Sequence, residues 1–202
     1  MKQKFTLFFF LLFITLTNSQ TFSGTVGTVS DDGQPNDFTA TVSGLSSNQL
    51  NASLGLIQVC LDISHTYDSD LNVYLMAPDG TTINLFSGIG GGDDNFTNTC
   101  LNQSATNSIN TAVAPFTGTF KPQETLGNCN NNQNGNGVWK LRIIDTYAQD
   151  EGIVNSWSIT FASNATTPFV FTSSNLPIVI INTGGVQIAN EPPINATMKI
   201  IN

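Results

Sequence analysis

The sequence predicts an all-β protein folded as a two-sheet sandwich or jelly roll. Three observations carry this reading. Charged residues make up only 10% of the 202 positions, so strong helix formers such as Glu, Lys and Arg are scarce. Apolar residues alternate with polar ones or come in short runs, the pattern of strands with one or two buried faces. Turn signals such as "APDG" and "NNNQNGNG" separate these runs at short intervals.

In chain order, residues 1–19 read as a secretory signal peptide. Lys2 and Lys4 give a basic start, Phe5 to Leu16 an apolar stretch, and "TNS" a small-residue cleavage site before Gln20. A dozen or so apolar residues are too few to span a bilayer, which takes roughly 20. The chain is therefore expected outside the cytoplasm and free of the membrane once the signal is cleaved, as a domain over residues 20–162.

Within that domain the candidate strands are Leu54 to Ile63, Leu71 to Ala77, Thr81 to Ser87, Gly137 to Asp145 and Val154 to Ala162. Leu71, Val73 and Leu75 share one face of a strand, as do Trp139, Leu141 and Ile143, and Trp157, Ile159 and Phe161. Each triple supplies an inner surface. Pro78 presets φ for a turn and Asp79-Gly80 tolerate positive φ, so the second and third strands form a hairpin. "GIGGGDDNF" and Asn130 to Gly137 read as loops, and "PFTG", with Pro115 and Gly118, as a turn. Residues 163–174 have the Ser/Thr/Pro composition of a linker. After it, "NLPIVIINTGG" and "ATMKIIN" within residues 175–202 read as strands, either the incomplete start of a second domain or additions to the main sheet.

The charge balance is 14 acidic to 6 basic residues, a formal net charge of −8. Nucleic acid and anionic membrane surfaces are thereby excluded as expected partners, and cations favoured. Of the three cysteines, Cys60 lies in the apolar run "LGLIQVCLDI" and reads as a small buried hydrophobe. Cys100 and Cys129 lie in polar, loop-like surroundings and are expected to form the disulfide of an oxidising compartment.

Taken together and in order, "SHTYDSDLNVYLMAPDGTTINLF", "GGGDDNFTNTC", "APFTGTFKPQETL", "NGVWKLRIIDT" and "DEGIVNSWSITF" resemble the P domain (Homo B domain) that follows the subtilisin-like catalytic domain of proprotein convertases. The resemblance runs from about Gly24 to Phe161. It implies a jelly-roll sandwich of eight strands, galactose-binding-like in type. It also implies a domain that is not itself catalytic, that stabilises, regulates or targets a serine endopeptidase in the same chain or a separate one, and that often carries calcium. The tail, "SNLPIVIINTGG" with "EPPINATMKIIN", is more weakly similar to the opening strands of secreted CotH-like kinase domains. An extracellular carbohydrate- or protein-binding module attached to such a domain is the alternative function.

His65 is the single histidine and precedes Asp68 and Asp70, which raises a protease triad. A triad needs a nucleophile and an orienting acid that converge on the base, and no glycine-flanked serine elbow accompanies it. His65 and Asp70 are therefore expected to hold backbone at a strand entrance, and no catalytic residue is expected in this chain. The better candidates for function are oxygen donors for calcium: Asp93, Asp94 and Asn95 on the glycine loop, with Asp145 and Asp150 from "DTYAQDEG". Their spacing is not that of an EF-hand, so separate loops would have to assemble the site. The competing reading is that these residues cap turns in their own backbone. Trp139 and Trp157 could form a sugar platform, but aliphatic partners on the same strand faces assign them to the core.

Overall fold

The computed structural model describes residues 19–168, 178–182 and 197–201. Ten strands of the first compact unit, Met1–Phe169, form two sheets. They are β1 (Gln20–Ser23), β2 (Gly27–Val29), β3 (Asn36–Val42), β4 (Gly55–His65), β5 (Leu71–Met76), β6 (Thr82–Ser87), β7 (Phe96–Asn102), β8 (Gly118–Phe120), β9 (Gly137–Asp145) and β10 (Gly152–Ala162). One sheet has six strands in the order β1-β10-β4-β7-β8, with β2 also on β10; the other has four, β3-β9-β5-β6. All pairs are antiparallel except β7 with β8.

The all-β sandwich is thus present, with six and four strands in place of eight. The additions are short pieces at the sheet edges. β1 and β2 pair in succession along β10, and three-residue β8 pairs with β7. Short edge strands leave little unpaired backbone to recruit another chain.

The five strands read from alternation are all formed. The triples at 71/73/75, 139/141/143 and 157/159/161 are buried to 2% exposure or less, and they pack with Val59, Leu61 and Ile63 of β4 in one core. Trp139 donates from Nε1 to the Gly135 carbonyl at 2.9 Å, and Trp157 donates to the Thr25 carbonyl at 2.9 Å, which satisfies the one polar atom each ring buries. Neither ring offers an open face.

"APDG" makes the expected hairpin between β5 and β6. Gly80, at φ +91°, donates to the Ala77 carbonyl, and the Asp79 carboxylate accepts from the Thr81 N–H at 2.8 Å. "PFTG" does more than turn. Phe116 is fully buried and stacks on Phe96 with ring centres 4.6 Å apart, while Phe96 stacks on Phe86 at 4.5 Å.

The disulfide expectation is overturned. Cys60 is bonded to Cys100 across β4 and β7, where the two face each other in register, and Cys129 is free and buried in a 3-10 turn over Leu126–Cys129. Burial pushes the Cys129 thiol up in pKa and keeps it protonated. The error came from reading hydropathy without strand parity. On β4, Val59, Leu61 and Ile63 point inward, which turns Gln58, Cys60, Asp62 and Ser64 outward. "FTNTCLN" is the strand β7, in which Phe96, Thr99 and Leu101 are buried and Cys100, between two of them, faces out to the same surface. The bond closes a separation of 40 residues, worth about 4 kcal/mol on the chain-entropy account.

The second unit, Val170–Asn202, is described only as an antiparallel pair, β11 (Ile178–Asn182) with β12 (Thr197–Ile201). The signal peptide and the rest of the tail lie outside the described residues except Ser19, and residues 163–168 of the linker form no strand or helix. Among the described residues no helix is long and apolar enough to cross a membrane.

Replacing Phe96, the middle ring of the stack, with Ala is expected to destabilise the sandwich by about 3–5 kcal/mol, read from the midpoint of urea unfolding. A loss under 1 kcal/mol would show that the three rings are not a packed unit.

Candidate functional site

The last residue of β4, His65, belongs to the six-stranded sheet, and the last residue of β9, Asp145, belongs to the four-stranded one. Their side chains meet between the sheets, with His65 Nε2 3.1 Å from Asp145 Oδ2 and both side chains fully buried. Nε2 shares a hydrogen bond with Asp145, while Nδ1 lies 2.9 Å from the Tyr67 carbonyl and 3.1 Å from the Tyr67 N–H. Asp145 Oδ1 also accepts from the Tyr147 N–H at 3.3 Å. These partners occupy both nitrogens, and no side-chain hydroxyl or thiol among the described residues bonds the ring.

The loop after β4 winds around this pair. Asp68 donates its N–H to the Asp93 carbonyl at 3.0 Å and Ser69 donates to Gly91 at 3.1 Å, so the glycine loop lies directly against the "YDSD" turn. Asn95, at φ +72°, is locked to His65 twice: its N–H donates to the His65 carbonyl and its Oδ1 accepts the His65 N–H at 3.1 Å. Asp70 anchors the corner through its backbone, since its carbonyl accepts from the Thr146 N–H at 3.0 Å and hydroxyl at 2.8 Å. Burial first, then the charges of Asp145 and Asp150, raise the pKa of the Asp70 carboxyl.

The five expected calcium donors come to the same corner but divide by role. Asn95 and Asp145 use their oxygens on backbone N–H groups and His65. Asp150 accepts from the Thr66 hydroxyl at 2.8 Å. Asp93 and Asp94 stand exposed on the glycine loop. Among the described residues no three His, Cys, Asp or Glu side chains converge as a ready-made metal cluster.

The residue that sequence reasoning passed over is Asp68. It is fully buried, and neither carboxylate oxygen has a hydrogen-bond partner. Burial raises its pKa to about 7; the nearby Asn95 N–H, itself donated to the His65 carbonyl, and His65 offset this only in part, and Asp94 and Asp93 add to it. Gly90, at φ +96°, closes over it so tightly that a Cβ there would stand 2.7 Å from the Asp68 Cβ. An uncompensated buried carboxylate is costly. Asp93 and Asp94, on the loop that covers it, add like charge to this unpaired carboxyl. The signal in the sequence was "HTYDSD" itself, three residues past a strand rich in inward-facing apolar groups.

One ion-pair cluster lies away from this corner. On β3 and β9, Arg142 grips Asp37 with two hydrogen bonds of 2.7 and 2.9 Å and Lys140 adds a third, and the Arg142 hydrogen bonds hold the Asp37 carboxyl at about 2.

Residues 54–161 match the sequence profile described as proprotein convertase P-domain, a little over half of the chain. The chain belongs to the proprotein convertase P-domain family. It is 40% identical over 121 residues to leupeptin-inactivating enzyme 1 of Streptomyces exfoliatus, covering 60% of this chain and 21% of that protein. It is 29% identical over 105 residues to the transglutaminase-activating metalloprotease of Streptomyces mobaraensis, covering 52% of this chain and 10% of the other. The chain therefore spans about a fifth of the first of these relatives and a tenth of the second. Among solved structures it is similar to the serine protease of Aeromonas sobria, with a TM-score of 0.42 and 17% identity over 72% of this chain and 26% of that one.

Two outcomes follow. Asp145→Ala, which strands the buried His65 donor, is expected to cost about 1–3 kcal/mol in urea unfolding. The raised Asp68 pKa means that this group favours folding while protonated. Its contribution is present below its unfolded value of about 4 and is lost as pH rises through about 7. In EDTA the melting temperature should fall between pH 5.5 and pH 8.5, and Asp68→Asn should flatten that slope, leaving the smaller part due to Asp70. A slope unchanged by Asp68→Asn would remove Asp68 as its cause.

Proposed function

We propose that the sandwich is a secreted, non-catalytic module that stabilises a protease domain joined to it or docked on it, and that the corner around Asp68 holds calcium when it does so. The observation that carries the reading is the family match over residues 54–161, which takes in every residue of that corner. The small share of each relative that the chain covers supports an attached domain within larger enzymes. One of those relatives is named a metalloprotease, so the partner is a protease domain of no fixed catalytic class, broader than the subtilisin-like type. The Cys60–Cys100 bond supports an oxidising compartment outside the cytoplasm.

Calcium would draw on Asp68 with Asp93 and Asp94, completed by backbone carbonyls and water, and would supply charge compensation to the buried carboxylate. In this role Asn95 and Asp145 position the loops, and Asp150 braces Thr66.

The direct experiment exchanges the matching segment of the Streptomyces exfoliatus enzyme for this chain. The hybrid should keep the thermal half-life of the parent, whereas deletion of the segment should shorten it. A hybrid no more durable than the deletion would defeat the stabilising role. For calcium, free ion at about 100 times its dissociation constant stabilises by about 2.7 kcal/mol. That corresponds to a rise in melting temperature of roughly 5–10 °C over EDTA at pH 8. Asp68→Asn should abolish the rise, and equal melting temperatures in calcium and EDTA for the unsubstituted protein would rule the ion out.

A further inference from the structure

We propose that the Cys60–Cys100 disulfide is a reducible clasp on the outer face of the six-stranded sheet, one that a small-molecule dithiol opens while the sandwich stays folded. This inference does not depend on the protease-associated reading.

A staple that only adds stability is usually buried and cannot be reached without unfolding. This one faces outward. Its neighbours on β4 and β7, Val59, Leu61, Thr99 and Leu101, are buried to 2% exposure or less, while both cysteines are partly exposed. The row of residues across the sheet at this level reads Ser23, Ser158, Cys60, Cys100 and Thr119 by strand register. Directly opposed side chains on neighbouring strands are the ones that cover each other. Here the flanking positions are serine and threonine, too small to roof the sulfurs. A surface groove of about 270 Å³ opens onto both cysteines, lined also by Ser23, Asn98, Ser156 and Ser158. Exposed disulfides are the labile ones, because the attacking thiolate needs access to sulfur.

The placement also determines what opening would release. β7 is joined to the rest of the sheet through β4, and the register between them shifts between Leu61 and Ile63, beside the bond. Among the described residues β8 lies beyond β7, held by three registered pairs. The glycine loop that covers Asp68 leads directly into β7. Opening the clasp therefore loosens the β7–β8 edge and that loop, and leaves the β3-β9-β5-β6 sheet untouched. In the exchange, a thiolate of the dithiol attacks one Sγ and the S–S electron pair departs on the other, which takes a proton from water. The second thiol of the reagent then displaces the first cysteine. Two electrons pass to the protein, two cysteine thiols result, and the reagent leaves as its cyclic disulfide.

Cys129 makes the test internally controlled, since its side chain is fully buried and reacts only when the core opens. The full chain is treated with dithiothreitol without denaturant, alkylated with iodoacetamide and mapped by peptide mass spectrometry. Cys60 and Cys100 should be labelled and Cys129 not, with the β-sheet circular dichroism retained. Hydrogen exchange should quicken over residues 88–120 and not in β5 or β9. Ser158→Tyr, which places a large ring beside Cys60, should slow reduction several-fold. A Cys60→Ser, Cys100→Ser double variant should stay folded, melt about 8–16 °C lower and show the same exchange pattern. The proposal is overturned by Cys60 and Cys100 staying unlabelled until denaturant is added, by Cys129 labelling in step with them, or by a double variant that does not fold.

Discussion

The contact on which the rest of this domain depends is the buried hydrogen bond between His65 and Asp145. It joins the end of a strand in one sheet to the end of a strand in the other, so it fixes the sheets at one pole where hydrophobic packing alone would allow sliding. Apolar contacts resist separation but specify position weakly, whereas a buried polar pair is satisfied in one arrangement only. Once His65 is held, its backbone receives Asn95, its ring receives Tyr67, and Asp145 receives Tyr147. Three loops from distant parts of the chain thereby acquire fixed starting points.

That arrangement explains why an acidic residue can be buried without a partner nearby. With Tyr67 tied to the His65 ring and the glycine loop hydrogen-bonded to Asp68 and Ser69 by backbone, Asp68 has no freedom to swing its carboxylate into water. The fold bears the penalty locally because the corner is over-determined from both sides, a pattern typical of sites that keep strain or unmet polarity for a ligand. The glycine at position 90 shows the same economy of space, since any side chain there would displace Asp68 or the Phe116 ring.

Much of the architecture was legible in the sequence because alternation reports burial directly. The triples on β5, β9 and β10 needed no tertiary information, and "APDG" announces its own turn. The short edge strands escaped because three or four residues carry too little periodicity, and β7 escaped because "FTNTCLN" shows polar residues at every outward position and only Phe96 and Leu101 as large inward ones. The cysteine pairing failed for a related reason. Membership of an apolar run says nothing about which side of the strand a residue faces, whereas the parity of Gln58, Cys60, Asp62 and Ser64 says it plainly. At the candidate site the acidic loops could be named, but which carboxylate is trapped depends on contacts between residues 68 and 90–95 that no local pattern encodes.

The pairing of β1 with β10 has one more consequence. Gln20 lies opposite Phe161, so the chain enters and leaves the sandwich side by side, at the pole where β10 ends. The His65 corner lies opposite Gly152, at the other end of the same strand, roughly 30 Å away at the rise of a β-strand. The domain is built like a plug, with its leads on one end and the His65 corner on the other. Loops at the far pole can be lengthened or rewritten without moving the points of attachment, and tension applied through the two leads would peel β1 from β10 pair by pair long before it reached the corner.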